Sequence, residues 1–178
     1  AVEKKTPFET YQIDEFLGYV LIQQKKYSEA APVYERTLNS GFLADAQVDE
    51  RTNTLATLYF QTKDYKKALE FSRKSLERKP GQEDMGQMVA QSYYLMNDFP
   101  NAAQAMTKVI DNAKKAGKTP EENWLQIVLS SHFKADNKDG IAAALKDIVR
   151  YYPNAEYWEN LLDIHRRKSN DDRVILGY

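Results

Sequence analysis

The chain has 178 residues, of which 42% are hydrophobic and 29% charged, a composition typical of folded rather than disordered proteins. The net charge of -1 gives no basic surface for nucleic acid, and no apolar run approaches the roughly 20 residues of a membrane-spanning helix. Cysteine is absent, which excludes disulfides, thiolate metal sites and cysteine nucleophiles.

The first predicted helical hairpin covers about residues 7–42. Thr6 is the expected N-cap of its first helix, and Glu9 completes a capping box. Gly41 ends the second helix. The first helix carries an apolar stripe with helical spacing, formed by Ile13, Phe16, Leu17, Val20 and Leu21.

Two further hairpins are predicted over about residues 45–80 and 82–116. Pro80 closes the second hairpin, while Asp98 caps and Gly117 ends the last helix of the third. Their four helices are expected over about 45–62, 65–78, 82–96 and 99–116.

A fourth hairpin is predicted over about residues 120–153, with a capping box that starts at Thr119 and a turn over 136–140. A partial fifth hairpin covers 155–178, and its second helix begins around Asp171. No segment alternates with period two, so no sheet is expected. The unbroken rhythm predicts a single domain over 1–178, which we expect to be a fragment of a longer protein.

Three of these hairpins share one pattern, which makes the chain a repeat protein. The spacing from Ala68 to Ala102 is 34 residues, and that from Ala30 to Ala68 is 38. Self-similarity at such a period predicts stacked helical hairpins, each of which buries its apolar face against a neighbour. The matching residues are Leu17, Gly18, Tyr27, Ala30 and Tyr34, then Leu55, Ala56, Tyr65 and Ala68, then Val89, Ala90, Phe99 and Ala102.

This pattern resembles the tetratricopeptide repeat family. The residues that match the family consensus well are Leu55, Ala56, Tyr59, Tyr65, Ala68 and Pro80. The resemblance implies an all-α solenoid of antiparallel hairpins, a right-handed superhelix of about four repeats with a truncated fifth. It also implies a protein-interaction scaffold without catalytic activity or cofactor. The fourth repeat departs from the pattern. Val128 and Ile141 replace the two small residues, and Ser131 replaces the usual aromatic residue.

In the family that the chain resembles, the first helices line a concave groove. Amide side chains there can pair with a peptide backbone, and aromatic side chains supply apolar area. The resemblance therefore predicts a partner that is a peptide or protein segment, although an ordinary solvated face is an equal alternative. The groove residues it implies are Tyr19, Gln23, Asn53, Thr57, Phe60, Gln87, Gln91, Tyr94 and Gln126.

Catalytic and metal-binding candidates are few. His132 and His165 have no second ligand at metal-binding spacing, and each is expected to pack beside a neighbouring hairpin. The loop over 136–140 lacks the acids of a calcium site at its first and twelfth positions. The sequence therefore predicts no metal site and no cofactor.

Other interpretations stay open beside the groove. The segment could belong to a larger solenoid and self-associate through cut repeat ends, or serve as an auxiliary domain of a cell-envelope enzyme or assembly complex. Binding of glycans by tyrosine and tryptophan is a third alternative. The segment from Lys5 to Tyr11, together with Tyr151, Tyr152 and Pro153, resembles secreted tetratricopeptide proteins of Gram-negative bacteria, which implies the periplasm or cell envelope rather than the cytoplasm.

Overall fold

A computed structural model describes residues 5–168, except for the side chains of His165, Arg167 and Lys168. Over this range the regular structure is helical and includes no β-strand, as the sequence predicts. The described residues fold into two compact units, a first one up to Met96 and a second one from Asn97, and the extent of the single predicted domain stays a prediction. None of the helices described is both long and apolar enough to cross a membrane.

The first unit consists of consecutive helices, each packed on the next. Their bounds are α1 (Pro7–Gln23), α2 (Tyr27–Leu38), α3 (Asp45–Gln61), α4 (Tyr65–Arg78) and α5 (Glu83–Leu95). The first helix α3 of the second repeat also contacts the first helix α5 of the third. The capping box predicted at the start of α1 is present, with Glu9 N donating to Thr6 Oγ1 and Thr6 N donating to Glu9 Oε2.

The second unit contains α6 (Phe99–Lys115), α7 (Glu122–Lys134), α8 (Lys138–Tyr151) and α9 (Ala155–Lys168). In this unit α6 packs on α7, α7 on α8, and α8 on α9. The second helix predicted from about Asp171 lies outside the described residues.

Two predicted boundaries in the second unit are wrong. The capping box at Thr119 does not form, because Pro120 is buried and its carbonyl accepts a hydrogen bond of 2.9 Å from the Tyr152 hydroxyl, so that α7 begins only after Glu121. The turn predicted over 136–140 is shorter, because the Asn137 side chain accepts from Gly140 N at 2.9 Å and starts α8 at once.

The turns within the hairpins are built alike. Lys25, Lys63 and Asp136 adopt left-handed backbone conformations with φ between 50° and 63°. In each turn the next amide donates back to the preceding helix, as from Asp64 N to Tyr59 O at 2.9 Å, which closes a Schellman motif. Asp64 then caps the following helix by accepting from Lys67 N. The same short turn therefore ends one helix and starts the next, which fixes the tight antiparallel pairing.

The small residues of the repeat pattern are in the core, as predicted. Ala30, Ala56, Ala68, Ala90 and Ala102 all have no exposed surface. Gly18 is also buried, and the space beside it is occupied by the ring of Tyr34 on α2. The glycine therefore makes room for an aromatic ring as well as for the helix crossing.

The turns also correct the alignment of the fourth repeat. Counted back from the left-handed residue of each turn, Leu129 rather than Val128 takes the position of Gly18, Ala56 and Ala90. Likewise His132 rather than Ser131 takes the aromatic position of Tyr59. The sequence predicts this repeat one residue out of register because the first helix of the fourth repeat has no alanine or glycine to mark the position.

The predicted apolar stripe of α1 is only partly buried. Leu21 is 7% exposed, whereas Ile13, Phe16 and Leu17 are 45%, 71% and 40% exposed. The corresponding Leu55 of α3 is fully buried because α2 packs on α3. Among the described residues no helix takes that place on α1.

Candidate functional site

The turn-based alignment sorts the predicted groove residues into a few repeat positions. Tyr19, Thr57 and Gln91 share one position, Asn53, Gln87 and Gln126 a second, and Phe60 and Tyr94 a third, while Gln23 occupies a fourth. Tyr19, Gln23, Thr57 and Gln126 are exposed, and the other five are half-buried. The family resemblance therefore predicted residues that occupy equivalent positions in successive repeats. Gln126 belongs to the second unit, and the other eight residues belong to the first.

Some of these residues meet at an open cleft in the first unit. The cleft has a volume of about 410 Å³ and lies along α3 beside the end of α1. Its walls combine amide, hydroxyl and apolar side chains. They are formed by Ile22, Tyr27, Glu50, Asn53, Thr54, Thr57, Leu58 and Gln61. Of the predicted set, only Asn53 and Thr57 line this cleft.

Asn53 is engaged in the interior of the first unit. Its Nδ2 donates to Gln82 Oε1 at 3.0 Å, and its Oδ1 accepts from the Ser75 hydroxyl. Gln82 in turn donates to Ser75 Oγ at 2.7 Å and to the carbonyl of Lys79 at 3.1 Å. Asn53 thus joins α3 to the end of α4 and the start of α5, so its main role is structural.

Two other predicted residues are also partly engaged. The Thr57 hydroxyl donates to the carbonyl of Asn53 at 3.1 Å, which leaves its oxygen able to accept. The Phe60 ring meets Tyr65 edge-on at 5.6 Å and packs against the core. Phe60 therefore offers only part of its ring to a partner.

Gln126 is part of a polar cluster in the second unit. Its Nε2 donates to the Tyr157 hydroxyl at 2.9 Å and to Glu122 Oε1 at 3.3 Å. The Tyr157 hydroxyl donates to the same carboxylate oxygen at 3.0 Å. This cluster connects α7 with α9.

Other first-helix amides have unused hydrogen-bonding groups. Gln61, Gln87 and Gln91 make no side-chain hydrogen bond to any residue in the described part of the chain. Gln61 is exposed and lines the cleft, whereas Gln87 and Gln91 are half-buried on α5. Each amide offers two N–H donors and a carbonyl acceptor, which is what a peptide backbone requires.

Sequence reasoning missed a charged cluster between the first three helices. Arg51 donates to both Glu15 carboxylate oxygens at 2.8 Å and to Thr37 Oγ1 at 2.6 Å. Its guanidinium carbon lies 3.8 Å from the centre of the Tyr34 ring. The available signal was an arginine at the repeat position where the other first helices carry Ile13, Met85 and Trp124.

His132 packs inside its own hairpin. A Cβ atom added to Gly140 would overlap the His132 ring, so the imidazole occupies the space that the glycine leaves. The expected contact with a neighbouring hairpin stays a prediction, and the side chain of His165 lies outside the described residues. Burial lowers the pKa of His132 below its ordinary value of 6.5. No group of three potential metal ligands occurs among the residues described.

Comparisons with known proteins agree with this architecture. The family model of the anaphase-promoting complex, cyclosome, subunit 3, matches residues 23–109. No curated protein matches the sequence significantly.

Several solved structures share the fold at low identity. MamA (residue 41 to the end) from Desulfovibrio magneticus RS-1 is 12% identical, with a TM-score of 0.61 over 95% of this chain and 90% of that one. Another MamA structure is 13% identical, with a TM-score of 0.64 over 90% and 83%. YrrB, described as a TPR protein with an unusual peptide-binding site, is 14% identical, with a TM-score of 0.60 over 85% and 71%.

The helical hairpins, their shared turns and the buried small residues define an α-helical repeat protein. The family match over residues 23–109 and the similar structures agree with this architecture, which is the fold of a tetratricopeptide repeat solenoid, as the sequence predicts. The more specific resemblance to secreted proteins of Gram-negative bacteria is not tested by these comparisons.

Proposed function

We propose that this protein is an interaction scaffold that binds a peptide or protein segment along the first helices of its first unit, without catalysing a reaction. The observation that carries the proposal is the set of unused amides on these helices: Gln61 lines the cleft, and Gln87 and Gln91 lie on α5, which contacts α3. A bound backbone would satisfy these amides, while Ile22 would contact its side chains. The peptide-binding site in the name of YrrB supports the idea by analogy.

The charges near the cleft favour a neutral or basic segment. Glu50 lines the cleft and is exposed, while the nearby carboxylate of Glu15 is already neutralised by Arg51. The described lining of the cleft contains no lysine or arginine, and the nearby Arg51 is paired with Glu15. The cleft therefore offers no cation to an acidic partner.

The proposal is tested by selecting binders from a displayed library of random peptides. The triple variant Gln61→Ala, Gln87→Ala, Gln91→Ala should bind the selected peptides at least about tenfold more weakly, which corresponds to about 1.4 kcal/mol. The matched control is Gln104→Ala, an exposed glutamine on α6 with no side-chain hydrogen bond in the described residues. Equal affinity of the triple variant and the native protein would contradict the proposal.

We also propose a location in the periplasm or cell envelope. Its support is the resemblance of the segment from Lys5 to Tyr11 to secreted proteins. Fractionation of the native host with an antibody against this chain tests it, and recovery from the cytoplasmic fraction alone would contradict it.

A further inference from the structure

We propose that two copies of this chain associate through α1, packed antiparallel about a twofold axis. The contact is the face formed by the exposed Ile13, Phe16 and Leu17 with the half-buried Val20, which we call the α1 stripe. It lies along a groove of about 930 Å³ whose remaining lining residues are Lys5, Thr6, Glu9 and Gln12. This contact is separate from the proposed peptide cleft and does not depend on it.

The exposure of the α1 stripe is unusual for this position of the repeat. Ile13, Phe16 and Leu17 are 45%, 71% and 40% exposed. Adjacent large apolar residues with such exposure form a patch of the kind that marks an interaction site.

The corresponding face is covered on the first helices α3, α5 and α7. Each of these helices packs on the helix that precedes it in its own unit. On α3, Leu55 and Leu58 are 0% and 4% exposed beneath α2. On α5, Val89 is 8% exposed with α4 packed on that helix. On α7, Trp124 is 2% exposed, and α7 packs on α6. The face is thus suited to packing against another helix, and the α1 stripe continues the same series of interfaces.

The α1 stripe is also self-complementary. Its members are symmetric in sequence about the midpoint between Phe16 and Leu17. In an antiparallel pair, Ile13 of one copy therefore lies opposite Val20 of the other, and Phe16 lies opposite Leu17. Such an interface uses the same surface on both copies and closes with two subunits, which is the commonest symmetry of homo-oligomers.

The charges at the two ends of α1 favour the antiparallel arrangement. Glu9 is in the first turn, and Lys25 and Lys26 follow the last. Antiparallel packing brings the carboxylate of one copy towards the lysine pair of the other, and it opposes the two helix dipoles favourably. A parallel pair would instead bring the two lysine pairs together at the C-terminal end, while the N-terminal end carries both Lys5 and Glu9.

Sedimentation velocity of the full chain, from low micromolar to near-millimolar concentration, tests the dimer. We expect a reversible monomer–dimer equilibrium whose Kd rises about tenfold or more in Phe16→Ser, since the lost apolar burial of a phenylalanine corresponds to at least that factor. Ile13→Ser is a second variant with the same expectation. Phe133→Ser, which removes a phenylalanine 53% exposed on α7, should leave the Kd unchanged.

Cysteine cross-linking tests the direction of packing, because the native chain has no cysteine. A mixture of the Glu9→Cys and Gln24→Cys variants should form a disulfide-linked dimer under mild oxidation, whereas each variant alone should form little. Far-ultraviolet circular dichroism checks that every variant is folded. A chain that stays monomeric at all concentrations, a dimer that Phe16→Ser and Ile13→Ser leave intact, or cross-linking of each variant mainly with itself would overturn the proposal.

Discussion

The ring of Tyr34 lies directly over Gly18. A Cβ atom at Gly18 would be 2.6 Å from Cδ1 and 3.0 Å from Cζ of that ring, well inside normal contact. The same ring carries the Arg51 guanidinium at 3.8 Å. Three helices of the first unit therefore meet at one tyrosine, and glycine at position 18 makes this arrangement possible because it has no side chain.

Replacement of Gly18 by alanine should therefore destabilise the protein. The gain in helix propensity is about 1 kcal/mol, but overpacking against a ring that cannot move without disturbing Arg51 costs about 1–3 kcal/mol. We expect a net loss of up to about 2 kcal/mol in the free energy of unfolding, measured by urea denaturation. In a Tyr34→Ala background the same change should become neutral or stabilising, and equal effects in both backgrounds would contradict the proposed clash.

Arg51 should be more important for stability than the surface charges. Its guanidinium makes a bidentate contact with Glu15, and its side chain is only 15% exposed. Lysine cannot reproduce the fork or the stacking on Tyr34, so Arg51→Lys should cost about 1–3 kcal/mol. The comparison is Lys74→Gln, which breaks the exposed pair with Glu70 and should cost less than about 0.5 kcal/mol. Similar losses for the two variants in urea denaturation would show that the cluster has no special role.

Glu35 should make stability depend on pH at the acidic end. Burial by itself would raise the pKa of Glu35, but hydrogen bonds from Lys67 and Tyr59 together outweigh it and lower the pKa below the ordinary 4.5. A carboxylate with a lowered pKa stabilises the folded state above its unfolded pKa, and this contribution is lost as the pH falls through the folded pKa.

The measurement is the free energy of unfolding of the native protein and Glu35→Gln as a function of pH. The advantage of the native protein should be constant near neutral pH and should shrink as the pH falls below about 4.5. Asp14, whose pKa is lowered by the hydrogen bond from Arg36, titrates in both proteins and cancels in the difference. An advantage that does not change in acid would contradict the assignment.

Asn53 should affect stability more than binding. Asn53→Ala removes the acceptor of the Ser75 hydroxyl and the donor to Gln82 Oε1, and we expect a loss of about 1–2 kcal/mol in the free energy of unfolding. Gln91→Ala, which breaks no hydrogen bond among the described residues, should change stability by less than about 0.5 kcal/mol. Thermal and urea unfolding of the two variants tests the contrast, and an Asn53→Ala protein as stable as the native one would return Asn53 to the candidate binding residues.

The sequence alone determined the helices and the repeat. Apolar residues at helical spacing, capping residues such as Thr6 and Asp64, and glycines such as Gly41 are local signals, because they act within one or two turns of the chain. The burial of the alanines could also be predicted from the sequence. A small residue that recurs at a fixed spacing indicates the same close helix packing in each repeat.

Only the tertiary structure decided which polar side chains are free to bind. Asn53 and Gln91 are both amide residues on first helices, and the sequence does not distinguish them. Asn53 is hydrogen-bonded to Ser75 and Gln82, whereas Gln91 makes no side-chain hydrogen bond within the described residues. The same holds for Leu17 and Leu55, which share a repeat position and differ in burial. These differences depend on which residues from distant parts of the chain lie beside each position, and a local pattern carries no information about such neighbours.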